Sequence, residues 1–584
     1  MATPVHELAV ETGAFGRGRR ARIGSRWIPF TILAVFLIPI GAGLVGTLLP
    51  AFGYLPAAGG QTVSLSPWQA LAGHPGFWTA LGLSVFTGVV ATVLALALAA
   101  GYCATAHGRV GYRRAEAMLA PLLASPHAAM AIGLAFVLAP SGWIARAISP
   151  WLTGWDVPPD VATVGDPLGI TLIVALLVKE IPFLLLMILA ALYQIPVDDH
   201  LKAARALGYT RAVAWMKIIM PQVYAQIRLP IYAVLAFSMS VVDMALILGP
   251  NNPPPLSVLA LRWFNAPDVA MTMPAAAAAL TQFLAVAAAI AAWRLVELVA
   301  AKVGRWWIGR GGRGVRGEPG FVIATVSVLA LLGLGGLALM AMAVWSFAFT
   351  WRYPSALPDS WTLSTWTNQL AGLQWPATTT LAVGILATLA ALVLVIAWLE
   401  CEDRTGARLP KRAMWLIYIP LLIPQISFLL GGQVLLVRLG ADGTLLAVVW
   451  AHLLFVLPYM FLSLADPWHA LDPRYARSAL ALGASPNRTL FIVKLPMLLR
   501  PILVACAIGF SVSVAQYLPT LFAGAGRVAT LTTEAVTLSS GADRRIVGVY
   551  TFVQSLLPLM VYGLAFAVPT LLYRHRRGLF SPER

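Results

Sequence analysis

The sequence predicts an all-α integral membrane protein with about twelve transmembrane helices, arranged as two parallel six-helix repeats. The 584-residue chain is 59% hydrophobic and only 11% charged, with a mean hydropathy of +0.81. Such a composition is too apolar for a water-soluble domain. Its apolar runs are long and free of charges, and one polar segment occurs twice, 275 residues apart. These observations together predict a duplicated bundle of membrane helices.

The apolar runs predict the individual spans. Residues 77–101, for example, contain no charged side chain. A helix needs about 20 apolar residues to cross the bilayer, whereas barrel strands alternate over about 10 residues, so continuous runs favour helices. The predicted spans are 27–49, 77–101, 117–139, 168–192, 224–249 and 271–293 in the first half, and 321–347, 376–399, 414–437, 444–466, 501–522 and 546–573 in the second.

The distribution of basic residues predicts the orientation. Of the 40 Lys and Arg residues, 31 lie in the termini and alternate connections, and 7 lie in the remaining connections. This is the positive-inside pattern, so the net charge of +17 does not indicate nucleic-acid binding. The predicted parts are a basic cytoplasmic N-terminus 1–26, a first transmembrane half 27–293, a cytoplasmic Gly/Arg linker 294–320, a second transmembrane half 321–573 and a cytoplasmic tail 574–584.

The duplicated segment reads KAARALGYTRAVAWMKIIMP at 202–221 and RSALALGASPNRTLFIVKLP at 477–496. In both copies a glycine, Gly208 or Gly483, precedes a proline, Pro221 or Pro496, by 13 positions. Glycine permits a left-handed turn, and proline fits the first turn of a helix. Each copy therefore predicts a short helix, a sharp turn, a second short helix and the start of a span. We call residues 197–221 the first bracket and residues 473–496 the second bracket.

The helix before the first turn is predicted to be amphipathic. Its apolar residues recur at helical spacing and would share one face. They are Val197, Leu201, Ala204 and Leu207. Because both brackets lie in predicted cytoplasmic segments, the repeat is parallel, with a pseudo-twofold axis along the membrane normal.

In these brackets the chain resembles the integral membrane permeases of binding-protein-dependent ABC importers, whose cytoplasmic loop reads Glu-Ala-Ala, three residues, Gly, and a proline 13 positions later. The resemblance covers essentially the whole chain and is nearest to the fused two-half permeases of the iron(III), thiamine and YnjC-like branches. The matching residues are Ala203, Ala204, Gly208, Ile218 and Pro221 in the first copy and Ala479, Gly483, Val493, Leu495 and Pro496 in the second. Met220 stands where leucine is usual, Ser478 replaces the first alanine, and Lys202 and Arg477 replace the glutamate.

The resemblance implies that each bracket docks into a groove of a cytoplasmic ATPase. The implied coupling residues are Lys202, Ala203, Ala204, Gly208 and Pro221, and Arg477, Ser478, Ala479, Gly483 and Pro496. It also implies two ATPase copies, a separate extracytoplasmic solute-binding protein and a location in the bacterial plasma membrane. The chain contains no GxxxxGK[ST] loop, so ATP is expected to bind to the partner subunits, with no cofactor of the permease itself.

Four polar residues in the predicted spans are candidates for the translocation pathway. Lys179 and Glu180 interrupt an apolar run, where one charge costs about 2.5–3.5 kcal/mol. They could line the route or gate, or form ion pairs with a neighbouring helix. Asp243 and Gln516 occupy corresponding places in the two halves and could face the pseudo-axis. Asp243 would then favour a cationic substrate, although it could equally cap the loop that follows.

Two other functions are compatible with parts of the sequence. An ion-coupled secondary transporter with two parallel repeats would use Lys179, Glu180 and Asp243 as coupling groups, but it leaves the paired brackets unexplained. A membrane enzyme would need convergent catalytic groups, and the sequence offers only Asp198, Asp199 and His200. We expect no catalytic residue and no metal site. The substrate stays open among iron(III), thiamine-like cations and other small solutes.

Overall fold

The computed structural model describes residues 27–107, 119–313, 318–406 and 415–573. In these ranges ten helical segments are long and apolar enough to cross a membrane, and two sharply bent helix pairs bring the total to twelve if each counts as one span. The predicted all-α membrane fold is thereby confirmed. The predicted N-terminus 1–26 and tail 574–584, and positions 314–317 of the predicted linker, lie outside the described residues.

The first half contains six spans with short helices between them. Residues 119–124 are also helical and precede α4. The helices are α1 (Ile28–Ala51), α2 (Ser66–Ala72), α3 (Phe77–Ala106), α4 (His127–Leu138), α5 (Trp143–Ile148), α6 (Ile170–Leu192), α7 (Val197–Ala206), α8 (Arg211–Ala214), α9 (Met220–Ser240), α10 (Asp243–Leu248), α11 (Leu256–Phe264) and α12 (Thr272–Gly309).

The second half repeats this order of helices. A small antiparallel hairpin of β1 (Ala348–Thr350) and β2 (Ser360–Trp361) follows its first helix. Its helices are α13 (Glu318–Phe347), α14 (Ser364–Thr405), α15 (Trp415–Leu422), α16 (Gln425–Arg438), α17 (Leu445–Ala470), α18 (Pro473–Ala481), α19 (Pro486–Thr489), α20 (Leu495–Met497), α21 (Leu499–Val514), α22 (Leu518–Gly524), α23 (Leu531–Ser539) and α24 (Arg544–Leu572).

A pair of equivalent hydrogen bonds supports the internal repeat. In the first half the backbone N–H of Leu256 donates to Ser84 Oγ at 2.9 Å. In the second half the N–H of Leu531 donates to Thr380 Oγ1, also at 2.9 Å. Leu256 and Leu531 are 275 residues apart, and Ser84 and Thr380 are 296 apart. The two halves therefore keep the same internal contact although the connections before it differ in length.

The two halves interlock through their first spans. Helix α1 packs against α16 of the second half, and α13 packs against α3 and α4 of the first half. The contact between α1 and α16 is a close backbone approach at glycines, because a Cβ on Gly46 would lie 2.9 Å from the Cα of Gly431. The Gly431 N–H also donates to Thr47 Oγ1 at 3.0 Å. Small residues are what allow membrane helices to approach so closely.

This contact yields a first prediction. Gly431→Ala should destabilise the protein by about 1–3 kcal/mol, since the added methyl group overlaps the Gly43 carbonyl oxygen. Gly432→Ala is a matched control, because a Cβ at the next position meets no atom within 4 Å. The unfolding temperatures of both variants are measured in detergent, with size-exclusion chromatography used to monitor thermal unfolding. Equal unfolding temperatures for the two variants would contradict the proposed close packing.

The fifth span of each half differs from the predicted continuous helix. The predicted span 224–249 is extended backwards to Arg211 and interrupted after Ser240, where residues 241 and 242 are not helical. The corresponding segment of the second half bends by 77° between residues 497 and 499 and breaks again before α22. Hydropathy does not reveal such breaks, because apolar residues continue through them.

The sixth span of the first half also runs beyond its predicted end at residue 293. Helix α12 continues to Gly309, inside the predicted linker 294–320. Glu297 holds this extension against α9, since its carboxylate accepts hydrogen bonds from Tyr224 at 2.7 Å and Tyr232 at 3.0 Å. Arg228 and Arg294 complete the cluster. The boundaries of the linker and of the two halves stay predictions.

Candidate functional site

The first bracket begins with α7, which packs on the body of the protein. Val197, Leu201 and Ala204 are buried along one face, as their spacing predicts. The prediction that Leu207 shares this face is wrong, because its side chain is 62% exposed. The α-helix ends at Ala206, so Leu207 lies in the turn and points away from the body.

A left-handed glycine ends the first helix of each bracket. The φ angles of Gly208 and Gly483 are +80° and +83°, where side chains with a Cβ are strained. The same two hydrogen bonds close both turns. The longer one joins the first and last residues of a six-residue segment, and the shorter one lies within that segment. They are Gly208 N–H to Arg205 O (2.9 Å) and Tyr209 N–H to Ala204 O (3.0 Å), then Gly483 N–H to Leu480 O (3.0 Å) and Ala484 N–H to Ala479 O (3.0 Å).

A hydroxyl cap starts the second helix of each bracket. Thr210 Oγ1 accepts from the Val213 N–H at 3.5 Å, and Ser485 Oγ accepts from the Arg488 N–H at 3.3 Å. Such caps satisfy backbone donors that have no partner within the helix. The sequence reasoning did not use this pair, although the two hydroxyl residues occupy equivalent positions and could have been found as helix-start signals.

Each second helix then widens into a π-helical turn, over Trp215–Ile219 and Leu490–Lys494. Pro221 and Pro496 each follow after one further residue. A proline has no N–H and its ring collides with the carbonyl four residues earlier, and a π-turn is a recognised way to accommodate such a disturbance. The prolines therefore lie inside a locally distorted helix, at the predicted entrance to the following span.

The second bracket projects further from the body than the first. In the described part of the chain no residue of α18 is fully buried. Leu482, which corresponds to Leu207, is 89% exposed, and Phe491 and Ile492 are also exposed. Both brackets thus present a leucine to their surroundings at the same position, next to the left-handed glycine.

The basic residues that replace the family's glutamate also lie on the surface. Lys202 Nζ lies 3.6 Å from Asp199 Oδ1, with both side chains exposed. Arg477 is exposed, and its Nε donates to the Pro473 carbonyl at 3.4 Å. Exposed pairs of this kind contribute little to stability. The two cations are therefore accessible to a partner, and the coupling role of the bracket residues stays a prediction.

Lys179 lies in the membrane and satisfies the backbone of a broken helix. Its buried ammonium donates to the carbonyls of Leu122 at 2.8 Å and Ser125 at 2.7 Å. Leu122 is four residues before Pro126, which has no N–H to offer in a helix. The lysine supplies the missing donor, so its clearest structural role is to stabilise the break in the third span. Its assignment to the pathway stays a prediction.

A second prediction concerns this contact. Lys179→Met should leave the two carbonyls without a donor, at a cost of about 1–3 kcal/mol each. The apparent unfolding temperature of the purified protein should fall accordingly. Lys302→Met removes an exposed lysine of α12 and serves as the control. An unfolding temperature for Lys179→Met no lower than that of the control would show that the ammonium does not hold the break.

Asp243 and Gln516 lie at the breaks in the fifth spans and come from opposite halves. Both side chains are buried. Asp243 is the first residue of α10, and Gln516 lies between α21 and α22. Helix α10, which begins with Asp243, packs against α23 of the second half, so this break lies beside that half. Whether either residue contacts substrate stays a prediction.

Glu180 belongs to the same region. It is buried in α6, which packs against α10 and against α13 of the second half. All four predicted pathway residues are thus buried, and α6 and α10 of the first half contact helices of the second half. Their role in a pathway stays a prediction.

Comparison with known proteins supplies relatives along nearly the whole chain. The inner membrane ABC transporter permease protein YnjC of Escherichia coli K12 is 32% identical over 561 residues, which cover 96% of this chain and 99% of that protein. PhnV of Salmonella typhimurium LT2, a permease whose name refers to a 2-aminoethylphosphonate transport system, is 30% identical over 27% of this chain and 62% of its own length. The putrescine transport system permease protein PotI of Escherichia coli K12 is 30% identical over 23% of this chain and 47% of its own length. No protein-family model matches.

Proposed function

Because this chain belongs to the ABC transporter permeases, we propose that it forms both halves of the translocation pathway of an importer, with each bracket docked into a separate ATPase subunit. The single observation that supports this most strongly is the pair of brackets, whose turns have the same φ angles and the same closing hydrogen bonds. A duplicated docking element fits a duplicated partner. The expected complex therefore contains one permease chain and two copies of the ATPase.

The exposed residues around the two turns suit docking into a groove. Leu207 and Leu482 can act as apolar anchors, while Ala203 and Ser478 are small and exposed, which allows a partner surface to approach the helix backbone. Apolar anchors on a short helix are the usual basis of helix-in-groove recognition. ATP binds to the partner subunits in this proposal, and the permease carries no catalytic residue.

The pathway is proposed to follow the pseudo-axis between the halves. Closure of the ATPase subunits around ATP would rotate one half against the other and alternate the access to a central site. Glu180, Asp243 and Gln516 are placed in this site, with Lys179 fixing the neighbouring break. A buried carboxylate at Asp243 would favour a small solute that carries a cationic group.

The names of the relatives agree with a small amine-bearing solute. Putrescine and 2-aminoethylphosphonate, the compounds in the names of the PotI and PhnV systems, both contain an amino group. An extracytoplasmic solute-binding protein is proposed to deliver the solute, since the connections on the side opposite the brackets are short to moderate and none could hold a folded binding domain. The permease is proposed to lie in the bacterial inner membrane, and the positive-inside pattern supports a cytoplasmic location of both termini, both brackets and the linker.

Purification from the native membrane tests the proposed assembly. The intact complex, extracted in mild detergent and weighed by native mass spectrometry, should have the mass of one permease chain plus two copies of an ATPase. ATP hydrolysis by this preparation should respond to addition of the binding protein. A permease that is recovered active for transport without any ATPase would overturn the proposal in favour of ion coupling.

A further inference from the structure

In each half, a cation of the bracket's second helical segment reaches the end of the second span. The two spans, α3 and α14, can be aligned through Ser84 and Thr380, which make the equivalent hydrogen bonds described above. The same offset of 296 residues pairs Gly88 with Gly384, and the sequence G-x-x-A-T follows at both places. It also identifies which residues correspond at the ends of the spans nearest the brackets.

In the first half the cation is Arg211, the first residue of α8. Its Nε donates to the carbonyl of Ala104 at 3.0 Å, and its Nη2 donates to the carbonyl of His107 at 2.8 Å. These carbonyls belong to the last turn of α3, where backbone acceptors have no partner within the helix. A cation there is also favoured by the helix dipole.

In the second half the cation is Lys494, the last residue of the π-helical turn. Its Nζ lies 2.7 Å from Glu400 Oε2 and 2.6 Å from Asp403 Oδ2. The offset of 296 pairs Ala104 with Glu400 and His107 with Asp403. The two brackets therefore bind the same two positions of the second span, through backbone carbonyls in one half and carboxylates in the other.

The second of these contacts is buried and reinforced. The side chains of Lys494 and Glu400 are each 9% exposed. Arg404 Nε donates to Glu400 at 2.8 Å, and Trp468 Nε1 donates to Asp403 at 3.0 Å. A buried ion pair resists separation, since removing one partner leaves an uncompensated charge. The lysine and its two carboxylates should consequently move as one body.

Taking the proposed docking of the brackets as its basis, we propose that Arg211 and Lys494 are positioning residues that transmit the movement of each bracket to the second span of its own half. The bracket and the second span are about a hundred residues apart in sequence, so side-chain contacts must carry force between them. We call these contacts the bracket clamps: Arg211 with the carbonyls of Ala104 and His107, and Lys494 with Glu400 and Asp403. Their acceptors occupy equivalent positions on the two second spans, which is expected of a device that serves both halves.

The test compares closure of the ATPase with movement of the spans in the whole complex. Spin labels at Trp78→Cys on α3 and Trp375→Cys on α14, both exposed and far from the brackets, report the separation of the second spans, with the partly exposed Cys506 replaced by alanine. Complexes in lipid nanodiscs are treated with ATP and vanadate. Trapped nucleotide measures ATPase closure, and the distance between the labels measures the response of the spans.

Lys494→Met should trap as much nucleotide as the parent, but its change in label distance should fall to less than half. Arg211→Met should behave in the same way, Lys494→Arg should restore the response, and Arg500→Met, which removes an exposed cation on α21, should have no effect. If Lys494→Met folds poorly, the combined variant Lys494→Met, Glu400→Gln, Asp403→Asn removes the buried charges together and should show the same loss.

A full distance change in these variants would overturn the proposal, as would a loss of trapping, which would assign the clamp to ATPase binding. Failure of the docking proposal itself is distinguishable, because the parent complex would then contain no ATPase.

Discussion

Replacing both Gly208 and Gly483 by valine should remove the ATPase from the purified complex, with a loss of about tenfold or more in the amount retained. A left-handed conformation costs a residue with a Cβ about 1–2 kcal/mol, and a β-branched side chain more. Both turns have φ near +80°, so each must distort or unfold to accept valine. The bracket helices would then lose the geometry that the docking proposal requires, while the spans that insert in the membrane are unchanged.

Gly59→Val is the matched control for this experiment. Gly59 has a φ of +82° and open space around its Cβ position, but it lies in a loop between α1 and α2 rather than in a bracket. It therefore imposes the same kind of backbone strain elsewhere. Affinity purification of the permease from membranes, followed by quantification of the co-purified ATPase, gives the readout. Undiminished ATPase in the double valine variant would show that the shape of the turns is irrelevant to docking.

Leu207→Asp combined with Leu482→Asp should weaken ATPase binding by a similar or larger factor without affecting the fold. Burial of one leucine side chain is worth about 1.5–3 kcal/mol, which is about 10- to 100-fold in affinity at each docking site. Because both leucines are exposed in the permease alone, the substitutions remove nothing from its core. The dissociation constant for purified ATPase, measured by titration onto the immobilised permease in nanodiscs, reports the effect.

The single variants make this prediction more specific. Either one alone should leave one docking site intact and retain one ATPase per chain, whereas the double variant should retain almost none. Leu357→Asp is the control, since Leu357 is equally exposed but lies in the loop between β1 and β2. Unchanged affinity in the double variant would mean that the exposed leucines contact something other than the ATPase.

The membrane fold was predictable because its signal is local. Long apolar runs define spans whatever their partners are, and the twelve predicted spans correspond in order to the ten helices and two bent pairs of the described chain. The spacing of Gly208 and Pro221, repeated at Gly483 and Pro496, likewise fixed the helix, turn and helix of each bracket. Within the first bracket the position of Leu207 was predicted wrongly, because helical periodicity was continued one residue past the end of α7.

The remaining features depend on contacts between distant residues. The residues around Ser240 contain no signal that predicts the break in the fifth span. The extension of α12 to Gly309 depends on the hydrogen bonds that Glu297 accepts from tyrosines of α9. The bracket clamps escaped prediction for a related reason. Their cations do not occupy equivalent positions in the two brackets, and only the acceptor positions on the second spans correspond.

The role of Lys179 illustrates the same limit. The charge of Lys179 in an apolar run indicated that a compensating partner exists. The identity of that partner depends on Pro126, 53 residues earlier in the chain. The partner is a pair of backbone carbonyls, which no pattern of charged residues can reveal. Sequence reasoning thus identified Lys179 as a buried polar residue, and the structure shows which backbone groups it contacts.

Site-specific photo-cross-linking tests the central claim most directly. A photoreactive amino acid placed at Ala203 in the first bracket or at Ser478 in the second should, on illumination of membranes, form a covalent adduct with the ATPase subunit from either position. The same amino acid at Trp361, an exposed residue near the hairpin, should form none. Adducts from both brackets are the predicted result. Absence of an ATPase adduct from both positions, in membranes that contain the assembled and ATP-hydrolysing transporter, would contradict the account.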